Sequence, residues 1–259
     1  MATEGGADGA GPTTVPRAPA VRPPSPPPPR VPAPALALLL ALGALAYSAW
    51  TLEALLPTGL SPTRAYVSEL AAANQPYGTL FRTMDLVAGL LVGAAAVGGL
   101  RWRPRLPWPR ARWGAAGWSG LTLYGLATVA DSRLPLSCAP TADAVCADRE
   151  RAGLVPGTHT AHLVTSSTAM CGALVAVVAL TVALRMSGAG PLGHAATCLA
   201  AAELAATVWT LTAVAAFGAG HDGWGLGIAQ RLQVAFLAAW LLVLAAALAR
   251  RPRSLLTAP

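Results

Sequence analysis

Charged and imidazole side chains lie inside long apolar stretches of this sequence, where they are energetically costly and point to a functional site. These residues are Glu53, Arg82, Asp85, Asp131, His159, His162, Glu203 and Arg231. Neighbouring stretches alternate in direction across a bundle. At 1.5 Å per helical residue, all of these residues but Glu203 then lie within roughly 10 Å of the same side of the bundle. Glu203 falls near the middle. This asymmetry predicts a polar cavity or a charge network at one end of a helical bundle.

Helical spacing places several polar residues on common faces. The sets are Arg82 with Asp85, His159 with His162 and Ser166, and Glu203 with Thr207 and Thr210. The first set is predicted to form an ion pair along one helix. The simplest interpretation of all three is that hydrogen bonds hold neighbouring helices together, at about 1 kcal/mol each. A ligand or transport cavity and a catalytic or metal site are the alternatives.

A zinc site is one chemistry that the histidines could perform. His159, His162 and His221, with Asp131 or Asp222, would supply three imidazoles and a carboxylate. The helical zinc-protease pair, however, is spaced i and i+4 with a glutamate between, and His-Thr-Ala-His has neither feature. The sequence therefore predicts no metal or other cofactor, and zinc enters only under a hydrolase alternative.

A serine nucleophile has little local support, because the chain contains no Gly-x-Ser-x-Gly motif. Ser68, Ser166 and Ser167 are candidates by polarity alone. The catalytic candidates are thus Ser68, Asp131, His159, His162 and His221.

Two cysteines lie close together in a polar segment between apolar stretches. Cys138 and Cys146 are separated by seven residues, and an oxidising compartment outside the cytoplasm would allow them to bond. The sequence predicts a disulfide between them. Cys171 and Cys198 lie within apolar stretches and are predicted to act as small hydrophobic residues.

The composition indicates that most of the chain lies in a lipid bilayer. Of 259 residues, 54% are hydrophobic and 11% are charged, whereas an ordinary soluble domain has roughly 25% charged residues. The pattern excludes a soluble domain, a disulfide scaffold and a largely disordered chain. The chain has a net positive charge, but it contains no motif that reads nucleic acid, so nucleic acid is not an expected partner.

Six stretches are long enough to cross a bilayer as helices, which need about 20 mostly apolar residues. They are 33–56, 79–100, 112–131, 159–184, 193–217 and 226–249. The predicted fold class is an all-α, polytopic six-helix bundle over residues 33–250. A disordered, proline-rich tail is predicted for 1–32 and a short tail for 251–259. Gly89 and Gly93 are predicted to pack internally, and 223–227 to form a flexible loop.

Arginine placement predicts the orientation. With the N-terminus inside, 12 of the 18 arginines lie on the cytoplasmic side, including five at positions 101, 103, 105, 110 and 112. The sequence therefore predicts a multi-pass protein of the plasma (inner) membrane with both termini cytoplasmic. The ionisable group described above then lies at the outer end.

The segment Ser61-Pro-Thr-Arg-Ala-Tyr-Val-Ser-Glu-Leu, with Gln75-Pro-Tyr-Gly, Phe81-Arg and Gly227-Ile-Ala-Gln-Arg, resembles a family of bacterial six-span proteins known as domain of unknown function 998. The Tyr66-Val-Ser-Glu element is also distantly similar to the damage-regulated autophagy modulator and Sfk-type family. The resemblance implies a six-helix bundle without an established reaction or cofactor. Its recurring polar positions would be Ser68, Glu69, Arg82, Asp131, His162 and Arg231.

The segment around Ser68 is predicted to form a short helical turn on the outer surface, because Pro62 precedes it and Pro76 follows it. Glu69 would then meet Arg82 or Arg231 and close a lid over the polar group.

The leading functional hypothesis is that an outer polar cavity binds or senses a lipid or small molecule, or supports a partner membrane protein. Its polar candidates are Glu53, Ser68, Glu69, Arg82, Asp85, Asp131, His162, Glu203 and Arg231. One alternative is a zinc-dependent hydrolase acting on lipids at the outer leaflet, for which there is a faint similarity to alkaline ceramidases. The other is a small-solute transporter that uses Glu203 as its proton-coupling carboxylate.

Overall fold

Helices make up the regular structure of the computed structural model, which describes residues 1–2, 33–101, 110–221 and 223–250. The long helices are α1 (Ala33–Tyr47), α2 (Gly78–Arg101), α3 (Arg110–Asp131), α5 (Gly157–Met186), α6 (Gly190–Gly218) and α7 (Leu226–Ala249). Between α3 and α5 lies the short α4 (Ala144–Arg151). The described ranges contain no strand, so the all-α prediction is confirmed there. Apart from its first two residues, the tail predicted for 1–32 lies outside the described residues, as do the tail 251–259 and Asp222.

Five of the helical segments are long and apolar enough to cross a membrane. They are Ala33–Ala54, Gly78–Arg101, Gly157–Met186, Gly190–Gly218 and Leu226–Ala249. The protein is therefore a membrane protein with several apolar helices. Glycine, serine, threonine and tryptophan lower the hydropathy of α3, which is not among the five.

The first span tightens before it ends. After Tyr47, α1 continues as a 3-10 helix over Ser48–Ala54. The Ser48 hydroxyl donates to the carbonyl of Ala44 at 2.9 Å, and the Thr51 hydroxyl donates to the carbonyl of Ser48 at 2.8 Å. Such bonds back to the preceding turn bend a helix. Trp50 and Glu53 lie on this tightened end.

The six long helices of the described ranges form a closed ring. Each packs against the next in the order α1, α2, α3, α5, α6, α7, and α7 packs against α1. Alternating direction brings the connections 55–77, 132–156 and 219–225 to one end, which we call the loop end. Trp240, Tyr124, Leu40 and Leu241 are fully buried in the ring's apolar core.

Glycines set the spacing of three neighbouring helices. A Cβ atom on Gly125 of α3 would lie 2.7 Å from the Cα of Gly93 and 2.9 Å from the carbonyl oxygen of Gly89, both on α2. A Cβ on Gly120 would lie 2.8 Å from the carbonyl oxygen of Gly172 on α5. Backbones approach this closely only where no side chain intervenes. The predicted internal packing of Gly89 and Gly93 is confirmed.

Candidate functional site

The connection 55–77, the first loop, folds back over the N-terminal end of α7. Gly227 donates its N–H to the carbonyl of Thr63 at 3.1 Å, and a Cβ there would lie 2.4 Å from the carbonyl oxygen of Pro62. The N–H of Val67 donates to Oε1 of Gln230 at 2.5 Å. The expectation of a flexible loop at 223–227 is therefore wrong for Leu226 and Gly227, which belong to α7, and the first loop packs directly on Gly227.

A buried ion pair joins the end of the first span to α7. Nε and Nη2 of Arg231 donate to the two carboxylate oxygens of Glu53, each at 2.6 Å. Both side chains are more than nine-tenths buried. Nη1 of Arg231 donates to the carbonyl of Ala65 at 2.8 Å and to that of Gly227 at 3.0 Å. Arg231 therefore binds α1, α7 and the first loop together.

Arg82 holds the other side of the first loop. Its Nη1 donates to the carbonyl of Ala71 at 2.7 Å, and its Nη2 donates to the hydroxyl of Thr79 at 3.0 Å. The predicted pair between Arg82 and Asp85 is wrong, because the guanidinium binds loop carbonyls instead. A side chain at the first turn of α2 satisfies the carbonyls left unpaired where the preceding 3-10 turn ends.

The predicted helical turn around Ser68 is present as a 3-10 helix over Val67–Ala71. Its fully buried Glu69 accepts hydrogen bonds from the N–H of Thr141, at 2.7 Å, and from the Thr141 hydroxyl. Thr141 belongs to the connection 132–156, the second loop. The predicted partners of Glu69, Arg82 and Arg231, are therefore wrong, although both arginines do bind the same loop.

Burial raises the pKa of the Glu69 carboxyl to about 7, against the lowering effect of the Thr141 hydrogen bonds. The folded protein therefore binds a proton that the unfolded chain loses above about pH 4.5. The protonated Glu69 carboxyl therefore stabilises the folded state fully below that pH, and this stabilisation is lost as the pH rises through about 7.

Replacement of Glu69 by glutamine is expected to remove this pH dependence. Glutamine accepts from the Thr141 N–H and donates to its hydroxyl, so it mimics the protonated carboxyl. We expect a small advantage of Glu69→Gln at pH 5 that grows to on the order of 3 kcal/mol at pH 8. Thermal unfolding in detergent from pH 5 to 8 measures the difference. Parallel stability curves for the two proteins would contradict the assignment.

A second polar cluster joins α3 to α5. Oδ1 of Asp131 accepts from the hydroxyl of Thr165 and from that of Ser166, at 3.0 Å, and lies 3.1 Å from Nδ1 of His162. His162 also places Nδ1 3.0 Å from the carbonyl oxygen of Leu134 and Nε2 3.2 Å from the Ser166 hydroxyl. Oδ2 of Asp131 has no hydrogen-bond partner within the described ranges.

His159 lies beneath the second loop. Its Nδ1 accepts from the N–H of Ser137 at 3.2 Å, and its buried Nε2 lies 3.9 Å from a carboxylate oxygen of Glu150. The predicted disulfide between Cys138 and Cys146 is present and links the start of this loop to α4. His159 is therefore directed at the loop rather than at the His162 cluster.

A cavity of about 110 Å³ lies at the loop end, between the first loop and the Asp131 cluster that joins α3 to α5. Its polar and aromatic walls include Tyr47, Trp50, Ser68, Asp85, Thr128 and Asp131. The Nε1–H of Trp50 is buried without an acceptor in the described part of the chain, although buried donors are normally paired. Asp85 likewise has neither a hydrogen bond nor an ion pair there. The space is several times that of one water molecule.

Glu203 forms a separate polar patch between α6 and α7. It is buried beside Thr207 and Gln233, and the Gln233 amide donates to the Thr207 hydroxyl at 2.9 Å. Oε2 of Glu203 and the hydroxyl of Thr210 lack partners within the described residues. The predicted common face of Glu203, Thr207 and Thr210 is thus buried, and its role in transport stays a prediction.

The histidines are not brought together. His221 is exposed on the turn after α6, whereas His159 and His162 are buried. In the described ranges, no three His, Cys, Asp or Glu side chains are placed to hold a metal ion. The three-histidine set on which the zinc hydrolase depended is therefore not assembled.

Some residues that build the site were missed in the sequence, and only part of them have a recognisable signal. Asp143 caps α4 by accepting from the N–H of Val145 at 2.9 Å, and arginines fill its last turn. These are ordinary helix-end signals that could have predicted α4. By contrast, no local pattern marks Thr141 as a partner of Glu69 or Gln230 as a partner of the first loop.

The ring of apolar helices and the polar clusters at its loop end define a multi-span α-helical membrane protein. The chain belongs to the family described as "Protein of unknown function (DUF998)", which matches residues 40–247 and so extends from α1 to α7. No curated protein matches the chain significantly, and no solved structure does.

Proposed function

We propose that this protein spans the plasma membrane six times with both termini in the cytoplasm. In support, α3 has 22 residues, or about 33 Å, and packs between α2 and α5. Arginines cluster away from the loop end, as the positive-inside rule requires of a cytoplasmic face. A disulfide in the second loop fits an oxidising, exoplasmic environment for the loop end.

The function we propose is the binding of a small organic ammonium group in the loop-end cavity. The observation that carries this proposal is that Asp85 lines the cavity without a hydrogen bond or ion pair among the described residues, while Asp131, which also lines it, pairs there through Oδ1 alone. A carboxylate removed from water is stable only when a counter-charge or hydrogen-bond donors replace that water. A bound ammonium would supply both.

The other walls favour an alkylated ammonium over a metal ion. Tyr47, Trp50 and Phe81 border the same space, and aromatic faces attract organic cations with roughly 0.5–2 kcal/mol each. A cavity of about 110 Å³ holds a group of a few heavy atoms and not an acyl chain. Free amines and the headgroups of lipids at the membrane surface both present such a group.

Binding is tested by titrating the detergent-purified protein with choline and with ethanolamine against sodium chloride of equal ionic strength. A ligand that binds the folded state raises the unfolding temperature in proportion to its occupancy. We expect stabilisation by the amines, and an affinity at least roughly tenfold weaker in Asp85→Asn. The matched control is Asp148→Asn, since Asp148 pairs with Arg151 on the exposed face of α4.

Two further arms distinguish the sources of the amine. Nanodiscs of phosphatidylethanolamine should stabilise the protein over phosphatidylglycerol if a headgroup is bound, and Asp85→Asn should abolish that difference. Stabilisation by free amines alone identifies a soluble ligand. Equal responses to amines and sodium chloride, with no lipid preference, would overturn the proposal.

A further inference from the structure

The contacts of His162 fix which of its ring nitrogens carries the proton. Nδ1 lies 3.0 Å from the carbonyl oxygen of Leu134, which can only accept. Nδ1 therefore donates, and it also faces Oδ1 of Asp131 at 3.1 Å. A neutral imidazole has one donor and one acceptor. Nε2 is consequently the basic nitrogen, and it faces the Ser166 hydroxyl at 3.2 Å.

We propose that Ser166, His162 and Asp131 form a nucleophilic relay that takes acyl groups from carboxylic esters. The connectivity is a hydroxyl on the basic imidazole nitrogen and a carboxylate on the protonated one. This is the arrangement by which a weakly nucleophilic serine is activated in unrelated folds. It arises here because His162 and Ser166 are one turn apart on α5 and the last residue of α3 faces both.

The surrounding contacts hold the carboxylate and imidazole in place. Thr165 donates to Oδ1 of Asp131, and the Leu134 carbonyl fixes the ring from the second loop. The Ser166 hydroxyl has two acceptors within reach, Oδ1 of Asp131 at 3.0 Å and Nε2 of His162. Rotation of its O–H bond therefore selects the productive partner without moving a heavy atom.

The relay borders the cavity. Asp131 lines it, and so does Ala169, three residues after Ser166 on the same face of α5. Ser166 is half-buried, whereas His162 is buried. The Ser166 hydroxyl is therefore the more accessible of the two groups.

The reaction balances with water as the second reactant. Ser166 Oγ bonds to the ester carbonyl carbon as its proton passes to His162 Nε2, and Asp131 stabilises the imidazolium. The carbon–oxygen bond to the alcohol then breaks, and Nε2 returns the proton to the departing oxygen. Water cleaves the acyl-serine by the same route, and the products are an alcohol and a carboxylic acid.

The inference does not rest on ammonium binding, and its test uses a different probe. A fluorophosphonate bonds through phosphorus to an activated serine and releases fluoride. Intact-mass analysis of the detergent-purified protein should show a single adduct. We expect no adduct on Ser166→Ala, and labelling slowed by roughly 100-fold or more in His162→Gln, which lacks the general base.

Ser167→Ala is the matched control, because the neighbouring Ser167 hydroxyl donates only to the Leu163 carbonyl, at 2.7 Å. It should label at the wild-type rate. A cluster that merely joins α3 to α5 would leave the wild-type protein unlabelled. Failure of the wild type to label, or equal labelling of Ser166→Ala, would overturn the inference whatever the amine titrations show.

Discussion

Replacement of Arg231 by methionine is expected to lower the free energy of unfolding by roughly 3–5 kcal/mol. The change leaves the Glu53 carboxylate buried without its counter-charge and leaves the carbonyl of Ala65 without a donor. The first loop should lose its attachment to α7 as a result. Thermal or denaturant unfolding in detergent measures the loss, and proteolysis within residues 55–77 reports the release of the loop.

A double variant separates the charge effect from lost packing. Glu53→Met with Arg231→Met removes both charges, so most of the penalty should disappear, and the unpaired loop carbonyls should leave a deficit of about 1–3 kcal/mol. The double variant should thus be more stable than Arg231→Met alone. A double variant that is less stable than the single one would show that the ion pair is not the source of the effect.

Replacement of Gly125 by alanine is expected to destabilise the protein by about 1–3 kcal/mol. The new Cβ would lie 2.7 Å from both the Cα and the N atom of Gly93, and backbone atoms cannot move aside as a side chain would. Helices α2 and α3 must then separate. The shift in unfolding temperature in detergent measures the effect.

The same helix offers a matched control. A Cβ added to Gly114 of α3 would meet no described atom within 4 Å. Gly114→Ala should therefore be neutral or stabilising by up to about 1 kcal/mol, because alanine is the better helix former. If both variants lower the unfolding temperature equally, close helix packing is not the cause.

The sequence predicts those features that depend on local composition. Each of the six apolar stretches coincides with a helix, because twenty apolar residues in lipid must satisfy their backbone hydrogen bonds internally. Cys138 and Cys146 are close enough along the chain for their bond to be predicted as well. The placement of Arg82, Asp131, His162 and Arg231 at one end follows from counting residues along helices.

Partner choice within the site could not be predicted. Helical spacing favoured Arg82 with Asp85, but backbone carbonyls of the adjacent loop compete for a guanidinium, and they bind it here. Glu69 contacts Thr141 across 72 residues of sequence. Such contacts depend on how loops fold over the bundle, and no periodicity carries that information.

The closing contact of the ring has a consequence for biosynthesis. Glu53 leaves the ribosome 178 residues before Arg231, the residue that neutralises it. During that interval the carboxylate in the first span lacks the guanidinium that neutralises it in the folded protein, and the seam that α7 closes stays open. A chain truncated before α7 would keep both defects, so the burial of Glu53 and the closure of the ring both depend on α7.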